Sequence, residues 1–229
     1  MNFNLLNSLR ARIIKNISKW CLCLLIVVIA GKANAQTDTL GLFTHHQDIG
    51  HPKNAGSAKY DKETHTYTLR GSGYNIWFNR DEFQFLYKTI KGDFTATANF
   101  EFKGNKGNNH RKVGWMLRAT THESDIHLSA VEHGDGLTVA QWRSKKGANM
   151  LDPEEEIFYP EKNFEVVQLQ RIGKRIIMRV GHVGEALKTV GSHIMTNMPE
   201  SALLGLFICS HDPELIEEAV VWDVRIINE

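Results

Sequence analysis

The most constraining feature of this chain is a strict side-chain alternation over residues 82–102. Phe83, Phe85 and Tyr87 alternate with Gln84, Leu86 and Lys88; after the break at Lys91-Gly92, Phe94, Ala96, Ala98, Phe100 and Phe102 alternate with Thr95, Thr97, Asn99 and Glu101. Successive side chains of a strand point to opposite faces, whereas a helix would scatter these aromatics around its circumference. Both runs are therefore expected to be strands with one buried face. The aromatic run 74–78, set off by Asn79-Arg80-Asp81, reads as a third strand.

The same period recurs along the chain. Residues 59–70 read as two strands around a charged turn, and 112–120, 126–132 and 137–143 as three consecutive strands. His133-Gly134-Asp135-Gly136 joins the last two as a hairpin, because glycine supplies the positive φ of a tight turn. Strands are also expected at 164–172, 175–181, 203–210 and 218–227, with shorter segments at 186–189 and 191–195 and a helical turn at 199–201. The stretch 36–59 should hold a short first strand, 103–110 a polar glycine-rich loop, and 144–162 a long acidic surface loop. No long amphipathic helix and no internal repeat is present. About a dozen strands spaced by turns make an all-β protein of two packed antiparallel sheets.

Residues 1–35 have the layout of a secretory signal peptide. Arg10, Arg12, Lys15 and Lys19 precede an apolar run over 20–30, and Ala33-Asn34-Ala35 is a small-x-small cleavage site. That run is shorter than the about 20 residues needed to span a bilayer. An exported protein, periplasmic or extracellular, with a single β-sandwich domain over 36–229 and no membrane span after cleavage is the expectation. Of the 229 residues, 194 remain after cleavage, with 22 Lys and Arg against 26 Asp and Glu. This slight negative charge argues against nucleic acid as a partner. Cys209 is the one cysteine left, in an apolar run, and reads as a small core residue; stability must come from burial rather than from a disulfide.

Within the three central strands the alternation brings planar polar groups together. Arg118 on the first, His127 on the second, and Gln141 and Arg143 on the third fall on one face of the meander. Trp77 is available for stacking, while Trp115, Trp142 and Trp222 alternate with apolar neighbours and read as core. A wet sheet face with bidentate donors beside an indole suits a sugar, whose hydroxyls take hydrogen bonds and whose ring packs on an aromatic. Arg118, His127, Gln141, Arg143 and Trp77 are therefore the candidate ligand-binding residues. The plain alternative is that they are ordinary solvent-facing positions.

The succession GSGYNIW, DEFQFLYKTIKGDF, KVGWMLRA, HLSAVEHGDGLTVAQWR, VVQLQRIGKRI and LLGLFICSHD, closing on AVVWDVRI, resembles small bacterial modules of the concanavalin A-like lectin/glucanase superfamily. In particular it is similar to the group of unknown function labelled "regulation of enolase"; similar chains are sometimes labelled biopolymer transporter. The resemblance covers about residues 71–227. It implies a two-sheet jelly roll of the kind whose concave sheet often carries a carbohydrate groove, in a superfamily that holds lectins, binding modules and glycosidases alike.

Glucanases of that superfamily place their carboxylates in a Glu-x-Asp-x-Glu strand about 5 Å apart. The nearest string here is Glu123-Ser124-Asp125-Ile126-His127, in which histidine replaces the third acid, so no catalytic residue is assigned. A hydrolase of an oxidised sugar, with Glu132, His133 and Asp135 as its groups, is one alternative. Another is a structural jelly roll that contacts an envelope protein partner through 144–162. The eleven histidines lack metal-ligand spacing, calcium at Asp135 or Asp152 has no motif behind it, and no phosphate-binding glycine loop opens a helix; no metal and no cofactor is expected. The reading that best fits is an exported, non-catalytic module for a glycan or oligosaccharide.

Overall fold

In the computed structural model, which describes residues 39–151 and 154–229, the chain forms strands and turns with no helix among the described residues. The expected leader at 1–35 lies outside these residues. The first eight strands are β1 (His45–Ile49), β2 (Ser57–Asp61), β3 (Thr66–Gly71), β4 (Phe83–Lys91), β5 (Phe94–Phe102), β6 (Lys112–Arg118), β7 (His127–His133) and β8 (Thr138–Arg143). The remaining six are β9 (Glu156–Phe158), β10 (Val166–Ile172), β11 (Arg175–Gly181), β12 (Lys188–Ile194), β13 (Ser201–Cys209) and β14 (Glu217–Asn228).

They build two antiparallel seven-stranded sheets. The first runs β1-β4-β13-β6-β7-β8-β9 and the second β12-β11-β10-β5-β14-β3-β2. The fold is a two-sheet, all-β jelly-roll sandwich, as the alternation and the resemblance both imply. The central meander is present: Arg118 pairs with His127, and His127 with Arg143. Gly136, with φ of 82°, supplies the left-handed residue of the β7–β8 turn.

Several expected elements differ. Residues 74–78 form no strand, because the Asn75 side-chain oxygen takes the N–H groups of Ile76 (2.7 Å) and Trp77 (2.9 Å), an arrangement that competes with ladder pairing. The expected loop 144–162 contributes β9, which pairs with β8 at the sheet edge. The two short segments at 186–195 are the single strand β12, which bulges at Val190 opposite Met178 and Arg179. The expected helical turn at 199–201 is absent, and Ser201 opens β13.

Apolar side chains form two layers. Between the sheets, Trp115, Leu117, Leu128 and Trp142 of the first meet Phe94, Phe100, Val167 and Leu169 of the second. Trp222, expected there, is only half-buried and stands outside that cluster. The second layer lies on the outward face of the first sheet and contains Phe83, Phe85, Tyr87, Met116, Val131, Val139, Phe207 and Cys209. Leu86 of β4 belongs to the inner layer, so this strand is buried on both sides rather than on one. What covers the outer layer is the segment 72–82, whose Ile76 joins the cluster.

Candidate ligand-binding site

Arg118, His127 and Arg143 share one outward face, but they are sealed beneath the covering segment rather than open to solvent, which corrects the expectation of exposed donors. Asp81 of that segment binds both arginines. Asp81 Oδ2 accepts from Arg118 Nη1 at 2.7 Å and from Arg143 Nη1 at 2.8 Å, and Oδ1 accepts from Arg143 Nη2 at 2.6 Å. The other guanidinium N–H groups go to carbonyls of Thr120, His122, Ala148, Asp125 and Phe78. Both arginines are consumed in fastening loops to the sheet. His127 sits between them in register, with neither ring nitrogen hydrogen-bonded. Burial first, then the neighbouring Arg143 and Arg118 charges, hold its pKa well below the usual histidine value, so the ring is neutral.

The solvent-open concavity lies further along the same sheet face, a cavity of about 340 Å³. Its floor is made of outward residues from two rows of the sheet: Lys112 of β6 beside His133 of β7, and Gln141 of β8 beside Glu156 of β9. Loops supply Asn75 and Trp77 from the covering segment, together with His110, Leu137 and His211. Of the five residues expected to bind a ligand, Gln141 and Trp77 line this cavity; Arg118, His127 and Arg143 do not. Gln141 Nε2 donates to Glu156 Oε2 at 3.3 Å, leaving its carbonyl oxygen for a ligand. Asn75 spends its oxygen within the covering segment, which leaves the amide NH₂. Trp77 is half-buried and fixed through its carbonyl, which accepts from Met150 N at 2.9 Å.

Lys112 and His133 were reachable from the sequence, since they continue the alternation that links Arg118 to Met116 and His127 to Ser129. His110 and His211 come from separate loops, and only the tertiary fold brings their rings together, with centroids 5.4 Å apart. Burial is the main reason that the Lys112 pKa falls to about 8 and that of His211 to about 4. Burial and the Lys112 charge likewise keep His133 far below its ordinary value. At neutral pH the cavity thus presents two neutral imidazoles, one ammonium and the Glu156 side chain.

The other candidate groups lie elsewhere. Asp125 is buried against the Thr120 hydroxyl and the Ile126 N–H, and the Glu123 carbonyl receives the Asp81 N–H at 2.8 Å. Glu132 shares the inward parity of Leu128 and Ala130, and Asp135 pairs with Lys162 at 2.7 Å. Among the described residues no three His, Cys, Asp or Glu side chains are placed to hold a metal ion; Asp152 lies outside them.

No protein-family model and no curated protein matches the sequence. Solved structures do. A functionally unknown protein from Saccharomyces cerevisiae aligns with a TM-score of 0.60 at 15% identity, covering 80% of this chain and 96% of that one. A mutant of the GH43 protein BlXynB from Bacillus licheniformis aligns with a TM-score of 0.56 at 12% identity, over 84% of this chain and 39% of that one. The carbohydrate binding module CBM66 from Bacillus subtilis gives a TM-score of 0.51 at 14% identity, over 82% and 98%. At these identities the likeness establishes the shared jelly-roll fold.

Proposed function

We propose that this protein is an exported, non-catalytic module that binds a glycan in the cavity between β6–β9 and the covering segment 72–82. The observation that carries the reading is the composition of that cavity. An indole, two side-chain amides and two neutral imidazoles converge on a space of about 340 Å³. Such planar donors and acceptors match sugar hydroxyls, and Trp77 matches the apolar face of a pyranose. The reading moves the ligand away from Arg118 and Arg143 while keeping the same sheet. The leader-like sequence of 1–35 supports export, and the likeness in fold to a carbohydrate-binding module fits the assignment.

Hydrolysis by paired carboxyl groups is less well supported by the residues present. A retaining mechanism needs two carboxyls about 5 Å apart, and among the described residues that line the cavity only Glu156 carries one. Calorimetric titration with a panel of plant, algal and bacterial oligosaccharides tests the proposal. Saturable binding that Trp77→Ala and Gln141→Ala each weaken about tenfold or more, with no released product, is expected. Equal affinity in both variants, or no binding by any glycan in the panel, would remove it.

A further inference from the structure

Lys112 stands apart from the other buried cations of this protein. Arg111 pairs with Glu217 at 2.9 Å, and Arg118 and Arg143 share Asp81. Arg171, buried without a carboxylate, gives its guanidinium to the carbonyls of Gly173, Pro199 and Glu200. Lys112 is 4% exposed and lines the cavity, yet its ammonium makes one hydrogen bond, to the His110 carbonyl at 3.2 Å. An ammonium carries three N–H bonds, and among the described residues no carboxylate pairs with this one. A buried charge is costly unless it is paired.

His133, directly across the β6–β7 ladder from Lys112, is also 4% exposed, and neither of its ring nitrogens has a partner. A neutral imidazole offers one N–H and one lone pair. Lys112 and His133 by themselves therefore hold at least three unused donors against one unused acceptor; the His110 and His211 rings beside them bring nitrogens of both kinds and do not remove the excess. A sugar hydroxyl, which both donates and accepts, fits that imbalance poorly; a carboxylate, which only accepts, fits it well.

Glu156 belongs to the other end. It pairs with Gln141, Gln141 with Ser129, and Ser129 with Met116, whereas Lys112 and His133 lie four residues further along their strands. Those two rows are separated by about 13 Å of backbone. Burial lowers its pKa to about 8 against the pull of Cys209 and Glu156, and the ammonium is still mostly protonated at neutral pH; Glu156 is felt by this charge but does not pair with it, so the cation lies at one end of the cavity and the carboxylate towards the other.

We infer that Lys112 and His133 form a carboxylate subsite, so that the preferred ligand of this cavity is a sugar acid, such as a uronic acid unit, over the corresponding neutral sugar. This rests on the glycan-binding reading and narrows it. The carboxylate completes the ammonium pair, and the Gln141 end takes the hydroxyls.

The test compares galacturonic acid, its methyl ester and galactose, and likewise the glucose series, by titration at pH 7 with the full chain. The acids should bind about tenfold or more tighter than the esters and the neutral sugars, in keeping with a charge-assisted hydrogen bond. Lys112→Met should bring acid and ester affinities to within about twofold of each other. The ester comparison requires no altered protein, so a variant that fails to fold does not spoil the result. Sodium acetate and sodium sulfate alone show whether the subsite takes an anion without its ring; competition by sulfate alone, with acids and esters binding alike, overturns the inference. Neutral sugars that bind as tightly as the acids also overturn it and leave glycan binding standing. Binding by none of the sugars removes both.

Discussion

Asp81 and Arg143, 62 positions apart in the chain, meet in a two-pronged ion pair at 2.6 and 2.8 Å with neither side chain reaching solvent. Arg118 enters the same carboxylate from β6. Together these contacts tie the segment 72–82 to one end of β6 and β8 in the first sheet, and Asn75 and Trp77 hang from that segment into the cavity. The ion cluster is thus the scaffold of the site rather than the site itself.

Removing the shared carboxylate leaves two buried guanidinium groups without their anion. Asp81→Asn should lower the unfolding free energy by about 3–5 kcal/mol, the usual cost of breaking a buried pair from one side. Urea denaturation measures it. Glycan affinity should fall too, because the segment that carries Trp77 loses its anchor. A loss below about 1 kcal/mol, the range of surface pairs, would show that the cluster does not hold the segment.

The strands β6 and β7 come into close backbone approach at Gly114. A Cβ on Gly114 of β6 would lie 2.1 Å from the Ala130 carbonyl oxygen of β7, so any side chain must part the two strands. Gly114→Ala should destabilise the protein by about 1–3 kcal/mol or more, as overpacking does, and lower the melting temperature. An unchanged melting temperature would mean that the sheet relaxes freely at this point.

Much of the sandwich was legible because alternation is a local signal. The strands β4 to β8 follow directly from it, as does the shared face of Arg118, His127, Gln141 and Arg143. What alternation cannot report is the layer that lies above a face. Phe83, Phe85 and Tyr87 alternate as the one buried side of a strand would, yet Leu86 is equally buried behind them, since the segment 72–82 adds a cover on the outer side. The fate of the arginines depends on Asp81, which is 37 and 62 residues away and carries no short-range sign of its pairing. Gln141 and Trp77 could be picked out because they look like sugar-binding groups. Lys112 occupies the end of an alternating strand without looking like a sugar-binding group, His133 stands out only as a possible hydrolytic group beside Glu132 and Asp135, and His110 and His211 reach the cavity from loops that no periodicity describes.

His127 gives the protein a definite response to acid. Its ring, buried between two guanidinium groups, takes up a proton only well below the ordinary value of 6.5, whereas the unfolded ring takes one near it. Below about pH 6.5 the unfolded state therefore binds more protons, and the stability that is full above this pH declines as pH falls. His133 acts in the same direction, and so does His211, with its folded value of about 4. His127→Leu should reduce the slope of stability against pH below 6.5 by up to one proton, about 1.4 kcal/mol per pH unit. Denaturant midpoints at pH 4.5 to 7.5 read the slope, and equal slopes in both proteins would mean that His127 titrates normally.

Glu132 works in the opposite sense and on the alkaline side. Burial, reinforced by Glu165 and Glu101 against the pull of Arg111, raises its folded pKa from 4.5 to about 8. Between those values the folded state holds a proton that the unfolded state has lost. The stabilisation is complete below about pH 4.5 and fades as pH rises through 8. In the window from 4.5 to 6.5 it offsets one proton of the histidine effect, so the two are best separated by mutation. Glutamine keeps the shape of the protonated acid and never ionises. Glu132→Gln should therefore match the parent near pH 4.5 and exceed it progressively up to pH 8.5, by about 1.4 kcal/mol per pH unit where the acid is fully linked. Parallel stability curves for the two proteins over that range would place Glu132 in water, ionised, and not within the fold.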